Sequence, residues 1–489
     1  MKKLLSLCLS LALVCAAAGA LADDAALRDA LAAGKTLVLT PAELPGSPEY
    51  GMPCSLSPDG KTVLWIKGFE HLVLTRDGVE IPVHAAPERG SGDPYGQLEE
   101  TLATLSRSFP GYEGVSWSPD GKFFILSSSL HCFYQGEPAD LILVDTENGE
   151  AFAVQSWDHS RGSDAFGTVI EAHFDATGEN IWFLGRIRSL AQSDSLFRYS
   201  LAANRTELIL EDVPIVTSMP ALYQAADGGW LVMTGSEKYG SRDMRDVILR
   251  CTPARDSISA ILGVDGTVER SERILPSNVL RASQGVCSPV TGYGLSLTSV
   301  ESSLYTTTQG QSSEQKAMLY LALNAVYGTP RLNRITPEGI DLNRYWELTG
   351  DPADPAAMRL TETDPALISL MTRYAAGTAT EEDQARMSET GMALLLNDMP
   401  TLSCLCMSPG GHYAILTART RTREAIWWLV DPASMTLYPV EIPDALGPDY
   451  FGSALNAKYR PAIEWTGDTL LVYNSKDSTV EAYRLEAKE

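Results

Sequence analysis

Basic residues are scarce in this sequence. Its 489 residues include 38 lysines and arginines against 62 aspartates and glutamates, which leaves a formal net charge of −24. A surface this negative argues against nucleic-acid phosphate or anionic lipid as the main partner. Hydrophobic residues make up 44% and charged residues 20% of the chain, which is typical of a globular protein and excludes a disordered or fibrous one.

Long apolar runs are also few, and the one near the N-terminus is too short to span a bilayer stably. Two lysines precede this run at residues 4–14, and Ala20-Leu21-Ala22 offers a small-x-small cleavage pattern. The arrangement predicts a signal peptide over residues 1–22, cleaved after Ala22, and a secreted or periplasmic mature protein. A lipoprotein anchored through Cys15 is the less favoured alternative, because the residues before that cysteine form a poor lipidation sequence.

Cysteine is sparse beyond this leader. Six in so long a chain are too few for a disulfide scaffold, and none has C-x-x-C spacing. We expect small buried side chains with at most one or two disulfide bridges. The six are Cys54, Cys132, Cys251, Cys287, Cys404 and Cys406.

Several local motifs of catalysis and cofactor binding are missing as well. The chain has no G-x-S-x-G nucleophile elbow, no H-E-x-x-H zinc motif, no phosphate-binding glycine loop with its lysine and no EF-hand loop. We therefore assign no catalytic, cofactor-binding or metal-ligating residue from the sequence, and no cofactor.

The chain does contain a recurring tight turn followed by an apolar strand. Ser57-Pro58-Asp59-Gly60-Lys61 precedes the apolar residues 63–66, and Ser118-Pro119-Asp120-Gly121-Lys122 precedes residues 123–126. Proline presets the backbone at the second turn position and glycine accepts a positive φ, so each copy predicts a hairpin turn that leads into a buried strand. Weaker copies begin at Asp175, Ala225, Ser288, Ser408 and Thr466.

The spacing of these seven starts favours one repeated unit. Successive starts are 61, 57, 50, 63, 120 and 58 residues apart. A second strand signal follows later in most units, so a unit holds about four strands. Units of this length stack as propeller blades.

The quoted turns resemble those of the TolB-type, WD-repeat-like β-propeller repeats. The resemblance covers roughly residues 50–489 and implies four-stranded antiparallel blades in which each turn joins the innermost strand to the next one out. It implies no single function, because such propellers serve as protein-binding platforms, as the non-catalytic domains of prolyl-oligopeptidase-type peptidases and as oligosaccharide lyases. A peptidase of that type is not expected, since the nucleophile elbow is missing and the repeats leave no chain for a hydrolase domain.

The predicted fold class is all-β: a seven-bladed β-propeller that occupies residues 23–489 as a single domain. We expect the strand at residues 36–40 to complete the last blade and to close the ring, which would remove the exposed sheet edges. Small helical insertions are expected at about residues 85–112 and 340–400. The second would fill the doubled interval in place of an eighth blade.

Helix signals support these insertions. Asp364 reads as an N-cap before Pro365, and a second helix is predicted to start at Thr380, where three acidic residues suit the positive end of the helix dipole. Another short helix is expected at residues 24–33, stopped by Gly34.

Candidate binding groups are few. The six histidines are His71, His84, His131, His159, His173 and His412. A histidine metal site resembling that of an oligogalacturonate-lyase-type propeller is one interpretation, but their local spacing does not support it and we favour scattered structural histidines. His173 lies in an inner-strand motif and is the one that the repeat would place near the channel.

Three further segments have a functional and a plain interpretation. Arg419, Arg421 and Arg423 alternate with threonines and would clamp an anion if they shared a strand face, although a solvated hairpin is favoured. The polar segment 302–313 is interpreted as a surface loop in preference to a glycan or protein contact. Trp427 and Trp428 are expected in the core.

The sequence thus favours a secreted or periplasmic recognition module that binds a protein, peptide or glycan at the cell envelope. A propeller enzyme, such as a metal-dependent oligosaccharide lyase, is the alternative. Convergence of three imidazoles at the channel would favour the enzyme.

Overall fold

The computed structural model is mostly β and resolves into two compact units, which are described separately. The predicted signal peptide, the polar segment 302–312 and the side chains of His131 and His159 lie outside the described residues. The structure describes residues 24–46, 49, 51–68, 71–86, 96–108, 115–127, 140–155, 168–186, 193–214, 222–224, 228–234, 247–251, 268–272, 280–300, 313–340, 343–375, 377–396, 399–420, 424–446, 463–474 and 479–488.

Strands are numbered along the chain. They are β1 Leu37–Pro41, β2 Gly51–Leu56, β3 Thr62–Lys67, β4 His71–Arg76, β5 Val79–Pro82, β6 His84–Ala85, β7 Val115–Trp117, β8 Phe123–Ser127, β9 Leu141–Asp145, β10 Glu150–Gln155, β11 Thr168–Phe174, β12 Asn180–Arg186, β13 Ser193–Ser200, β14 Arg205–Pro214, β15 Leu222–Gln224, β16 Trp230–Thr234, β17 Val247–Cys251, β18 Val268–Glu272, β19 Leu280–Cys287, β20 Gly294–Val300, β21 Arg331–Thr336, β22 Gly339–Ile340, β23 Trp346–Thr349, β24 Arg359–Glu362, β25 Thr401–Met407, β26 Ala414–Arg419, β27 Ala425–Asp431, β28 Thr436–Glu441, β29 Ile463–Thr466, β30 Thr469–Asn474 and β31 Thr479–Ala487. The helices are α1 at residues 24–32, α2 Leu98–Ser108, α3 Ser313–Gly328, α4 Pro365–Ala375 and α5 Glu381–Leu396.

The first unit contains the chain up to Val213, the C-terminal segment from Asp449 and the short turn Ser408–Gly411. Among its described residues, three sheets follow one another in chain order: β2 to β5, β6 to β10, and β11 to β14. A fourth combines the two ends of the chain, because β1 pairs antiparallel with β31, beside β30 and β29. The predicted pairing of the N-terminal strand with the last sheet is confirmed, with Leu39 opposite Leu485.

The repeated turn forms as its residue types dictate. In the first copy, Ser57 Oγ donates a hydrogen bond to Asp59 Oδ1 over 2.7 Å, and the same carboxylate oxygen accepts from the Lys61 amide over 3.2 Å. The Thr62 amide donates back to Ser57 Oγ over 2.9 Å, which closes the hairpin. Gly60 has a φ of 70°, a conformation that strains most other residues. The side chains of this turn are therefore satisfied by residues of the same turn.

The strand after the turn is buried on both faces, as the continuous apolar run predicted. In β3, Leu64 and Ile66 belong to one hydrophobic cluster, while Val63 and Trp65 belong to another. Successive side chains of a strand point to opposite faces, so a strand between two packed sheets must be apolar at every position. Sheets of the first unit therefore pack face to face.

The second sheet corrects the expectation of four antiparallel strands in every blade. A fifth strand, the two-residue β6, pairs parallel with β10 and places His84 opposite Glu150. Gly149 permits this approach, because a Cβ at that position would lie 2.2 Å from the Pro82 carbonyl oxygen. A two-residue strand carries too little pattern to be read from the sequence. Helix α2 lies within the insertion predicted at 85–112.

The second unit, residues 214–407 and 412–448, holds three described sheets. They are built from β15 to β18, from β19 to β24 with β22 beside β21, and from β25 to β28. Strands β23 and β24 fall inside the segment 340–400 that was predicted to be helical, and they belong to the fifth repeat's sheet. This correction arises because β23 alternates buried and half-buried residues over only four positions, with no tight-turn motif before it.

Helices α3, α4 and α5 form a helical module with a hydrophobic core of its own. Helices α4 and α5 were predicted and are confirmed, including their caps. The Ala366 amide donates to Asp364 Oδ1 over 2.8 Å, and Thr380 and Asp383 exchange backbone and side-chain hydrogen bonds in a capping box. Helix α3 was not predicted.

Close packing joins the first and last helices of this module. A Cβ on Gly391 of α5 would lie 2.3 Å from the Ala322 Cα of α3, so the two backbones touch where only glycine fits. The predicted N-terminal helix is also confirmed as α1, and Gly34 follows it with a φ of 68°. Within the described ranges, no helix is long and apolar enough to cross a membrane.

Candidate functional site

The candidate site lies on the strands that precede the tight turns of the first unit. These strands, β29, β2, β7 and β11, are called the first strands here, because each begins its repeat. Polar side chains join three of them. Ser55 Oγ on β2 donates to Glu464 Oε1 on β29 over 2.6 Å, and Trp117 Nε1 on β7 donates to Ser55 Oγ over 2.7 Å.

This network fixes neighbouring sheets to one another. Ser55 is 1% exposed, and its hydroxyl donates one hydrogen bond and accepts another. The Glu464 carboxylate also accepts from the Leu56 amide over 3.2 Å. Since a buried hydroxyl with both roles filled stabilises the fold, we assign Ser55 a structural role and not that of a nucleophile.

The turns themselves also touch between neighbouring sheets. A Cβ on Gly178 would lie 3.0 Å from Pro119 Cδ, and one on Gly121 would lie 3.5 Å from Ser57 Cβ. Gly121 and Gly178 therefore pack against the Ser-Pro step of the preceding turn. We call the row of turns that begin at Ser57, Ser118 and Asp175 the turn row.

The turn row is acidic, and in its first two turns the aspartate is paired with the lysine two residues later. Lys122 Nζ lies 2.8 Å from Asp120 Oδ2. Although partial burial opposes the change, hydrogen bonds from Lys122 and Ser118 lower the pKa of Asp120 below its usual value, and Asp120 in turn raises the pKa of Lys122. These half-exposed pairs contribute little to stability.

A histidine and a glutamate form the most chemically distinctive group of the first strands. His173 Nε2 lies 2.6 Å from Glu171 Oε1 on β11, where positions two apart share a strand face. A β-bulge between Val169 and Glu171 sets this register. The Glu171 side chain is 9% exposed and that of His173 is 40% exposed, so a buried carboxylate orients an imidazole that solvent and ligands can reach.

This arrangement can exchange protons or hydrogen bonds with a bound molecule. The carboxylate holds Nε2, so the ring presents Nδ1 as its second hydrogen-bonding atom. A histidine held by a carboxylate is also the geometry in which an imidazole acts as a base. The pair is therefore suited to recognition and to proton transfer alike.

The same face of the third sheet continues as a polar row. Along the strand register, His173 lies opposite Trp182, and Trp182 lies opposite Arg198. The Arg198 guanidinium stands 5.8 Å from the Trp182 ring centroid and forms an ion pair with Glu207. Arg205 and Arg198 together lower the pKa of Glu207.

The opposite face of that sheet is apolar. Ala172, Phe174, Ile181 and Phe183 all belong to one hydrophobic cluster. The contrast between the two faces of the same strands shows that the polar row with His173 is not dictated by sheet formation. We therefore take this row as the candidate site.

The other described histidines lie elsewhere. His71 and His84 are exposed and begin β4 and β6. His412 follows the Ser408–Gly411 turn. Across the described part of the chain, no three histidine, cysteine, aspartate or glutamate side chains are grouped so that they could hold a metal ion.

The remaining sequence candidates divide as follows. Trp427 and Trp428 are fully buried, as expected, and Trp428 Nε1 donates to the Pro355 carbonyl over 3.0 Å. Arg419 ends β26, whereas Arg421 and Arg423 lie outside the described residues.

Three of the six cysteine side chains are described, and all three are thiols. Cys54 and Cys406 are buried, and burial raises the pKa of the Cys287 thiol to about 12. Cys287 is therefore protonated at neutral pH and is unsuited to nucleophilic chemistry.

Sequence reasoning missed Glu171, Ser55 and Glu464. Glu171 carried a readable signal, since it stands two residues before His173 in a predicted strand and period two places both on one face. Ser55 and Glu464 carried none, because 409 residues separate them and only the packing of two sheets brings them together.

Comparisons with known proteins place the chain beside several propellers at low similarity. No model of a protein family matches it, and no curated protein matches it. Among solved structures, it is similar to a prolyl endopeptidase with a TM-score of 0.41 and 11% identity over 93% of this chain. That match covers 47% of the endopeptidase, so this chain spans about half its length.

Two smaller proteins are similar as well. The β-propeller domain of Cps50 (Swd1) from Myceliophteria thermophila matches with a TM-score of 0.39 and 8% identity, over 92% of this chain and 100% of that domain. A putative TolB from Agrobacterium tumefaciens matches with a TM-score of 0.31 and 11% identity, over 62% of this chain and 86% of its own. No functional residue is transferred from any of them.

Proposed function

We propose that this chain is an exported seven-bladed β-propeller that binds a protein, peptide or glycan at the cell envelope. Seven tight-turn starts, the antiparallel sheets of consecutive strands that contain them and the pairing of β1 with β31 support a closed ring of blades that occupies residues 23–489. Export, with cleavage after Ala22, follows from the N-terminal pattern of the sequence.

One observation carries the binding role: the His173 imidazole is half-exposed and oriented by the buried Glu171. Most polar side chains on the neighbouring first strands bond to one another, as Ser55 does to Glu464 and Trp117. His173 is the group of this region that combines exposure with a fixed direction. In a propeller, first strands line the central channel, so this imidazole would face a ligand at the channel mouth.

The chemistry of the pair indicates what the ligand must offer. The carboxylate-held imidazole presents one hydrogen-bonding nitrogen to solvent. Trp182 and Arg198, which follow His173 across the strands of the same face, are buried, so the imidazole is the group that would meet the ligand. Hydroxyl, amide and carboxylate groups all hydrogen-bond to such a surface. Glycans and peptides both carry such groups.

Site-specific photo-crosslinking tests the proposal. A photoreactive amino acid at position 173 should capture an envelope protein or glycan in cells that express the chain, whereas the same residue at position 71 should not. His71 is the matched control, because it is an exposed histidine at the start of an outer strand. Equal capture at both positions, or none at 173, would contradict a binding site on the first strands.

The same geometry favours one second candidate, a propeller enzyme such as an oligosaccharide lyase. A buried carboxylate that orients a reachable imidazole is a recognised arrangement for a general base. Incubation of the purified chain with acidic oligosaccharides and divalent cations should then yield unsaturated, ultraviolet-absorbing products, and His173→Asn should abolish them. Binding without turnover in the wild-type chain would support the recognition role instead.

A further inference from the structure

Turns with the same backbone differ in how their serine is satisfied. In the two closest copies, the serine hydroxyl donates to an aspartate two residues later in the same turn, at 2.7 Å for Ser57 with Asp59 and 2.8 Å for Ser118 with Asp120. The carboxylate then accepts from the backbone amide two residues further on. The aspartate thus fixes both the serine and the end of the turn.

The turn Ser408–Gly411 lacks this carboxylate. Its sequence places Gly410 where Asp59 stands in the first copy. The backbone is otherwise equivalent, since Gly411 has a φ of 74° against 70° for Gly60, and its amide donates to the Ser408 carbonyl over 2.9 Å. Ser408 is 3% exposed, so its hydroxyl needs a partner within the protein.

Asp24 is that partner. Ser408 Oγ donates to Asp24 Oδ2 over 2.9 Å, across 384 residues of sequence and within the first unit. Asp24 is 1% exposed and is the first described residue of helix α1. We propose that α1 is a latch: Asp24, which is distant in sequence, supplies the carboxylate that the Ser408–Gly411 turn itself lacks.

A second attachment holds the other end of the same segment. The Lys488 amide donates to the Thr36 carbonyl over 2.8 Å, and β1 continues as a strand beside β31. The N-terminal segment is therefore fixed once by strand pairing and once by the Asp24 carboxylate. Loss of the carboxylate should release the turn and α1 while β1 stays paired.

Another turn shows that the hydroxyl can be satisfied differently. In the copy that begins at Ser288, the serine oxygen accepts from the amides of Val290 and Thr291, each over 3.1 Å, and no carboxylate takes part in these bonds. That turn is one residue longer before its glycine. The Ser408 turn has the shorter form of the first two copies, in which the hydroxyl donates to a carboxylate.

The latch is tested by moving the carboxylate from position 24 to position 410. The experiment measures amide hydrogen exchange of the peptide that contains Ser408–Gly411 in the full mature chain. The variants are Asp24→Ala, Gly410→Asp and the double variant. Asp29→Ala is the matched control, because it removes an exposed aspartate from the same helix.

The latch predicts that Asp24→Ala speeds exchange in this turn by roughly tenfold or more, as the loss of a buried acceptor implies, and that Asp29→Ala leaves it unchanged. Gly410→Asp should restore protection to the Asp24→Ala chain, because the new aspartate lies within the turn itself, at the position that Asp59 occupies in the first copy. In the wild-type chain the same substitution should give no added protection, since two carboxylates would compete for one hydroxyl. Equal exchange in Asp24→Ala and Asp29→Ala, or additive effects of the two substitutions, would overturn the proposal.

Discussion

The turn row of the first unit and the helical module of the second are stabilised in opposite ways. Each turn is built from a short run of consecutive residues that hydrogen-bond locally, as the Ser57 hydroxyl does with Asp59 and the Thr177 hydroxyl with Asp175. The module depends on contacts between distant segments, such as the Tyr327 hydroxyl, which donates to the Met371 carbonyl over 2.8 Å. The turn motif recurs along the sequence, whereas the contacts of the helical module depend on segments that occur once.

The difference has a thermodynamic consequence. A turn that loses one side chain keeps most of its local hydrogen bonds and its neighbours in the row. The helices of the module share one small core, so a substitution that disturbs its packing destabilises all three helices. We therefore expect the largest effects of single substitutions in the module, and graded effects along the first strands and turns.

Gly391→Ala should have the largest effect. The added Cβ would lie 2.3 Å from the Ala322 Cα and 2.5 Å from its carbonyl oxygen, so α3 and α5 must move apart. Overpacking of this kind costs about 1–3 kcal/mol of unfolding free energy. Chemical denaturation followed by circular dichroism measures it. Gly328→Ala at the end of α3 is the control, because no atom lies within 4 Å of its added Cβ.

If Gly391→Ala lowered the stability no more than Gly328→Ala does, the close approach of the two helices would be wrong. Amide hydrogen exchange of Gly391→Ala gives a second test. If exchange became faster in the turn row as well as in the helices, the contrast between a local and a non-local region would fail.

Ser55→Ala should have an intermediate effect. The substitution removes the donor to Glu464 and the acceptor for Trp117 Nε1, both in a part-buried setting. Loss of such a network costs about 1–2 kcal/mol of unfolding free energy. Tryptophan fluorescence during denaturation reports it, because Trp117 is one of the partners.

Ser116→Ala is the matched control for this variant. Ser116 stands two residues before its turn, as Ser55 does, and no side-chain hydrogen bond is found for it within the structure as described. Similar losses in both variants would show that the bonds between first strands do not stabilise the unit.

The smallest expected effect depends on pH and concerns the ion pair that joins α4 to α5. Arg373 binds the Asp383 carboxylate at 2.6 Å and, together with the Thr380 amide, holds the pKa of Asp383 well below its usual value of 3.8. A lowered folded pKa stabilises the protein above the unfolded value, and this stabilisation is lost as the pH falls.

The stability difference between wild type and Arg373→Gln should therefore be constant from pH 7 to about pH 5 and should shrink below about pH 4. Arg386→Gln, which removes an exposed arginine from α5, is the control and should show no such trend. A difference that grew on acidification would contradict the pairing.

The same contrast explains what could be read from the sequence. The Ser-Pro-Asp-Gly turns, the buried strands after them and the capped helices α4 and α5 were predictable, because each is encoded within a few residues. Helix α3 was missed because it is apolar on most sides and has no cap signal beside a recognised motif. Strand β6 was missed because two residues are too few to show the alternation of apolar and polar side chains that marks a strand.

The candidate site was predictable only in part. His173 stood out by its place two residues before a turn, but the partner that gives it direction, Glu171, was overlooked. The bond between Ser55 and Glu464 and the latch between Ser408 and Asp24 join residues that no local pattern connects. Their positions follow from the packing of sheets, which the sequence encodes only through the whole repeat.

The central claim is that both ends of the chain share one sheet, as a closed propeller requires. Val38 lies opposite Glu486 in that pairing. Arg484 lies on the same strand as Glu486 and two residues away, so it is a diagonal neighbour of Val38. Opposite residues have Cβ atoms close enough for a disulfide, and diagonal neighbours do not. Oxidation of the folded chain should therefore cross-link Val38→Cys with Glu486→Cys, and not with Arg484→Cys, as judged by mass spectrometry of the digested protein. No cross-link at either pair, or equal yields at both, would contradict the account.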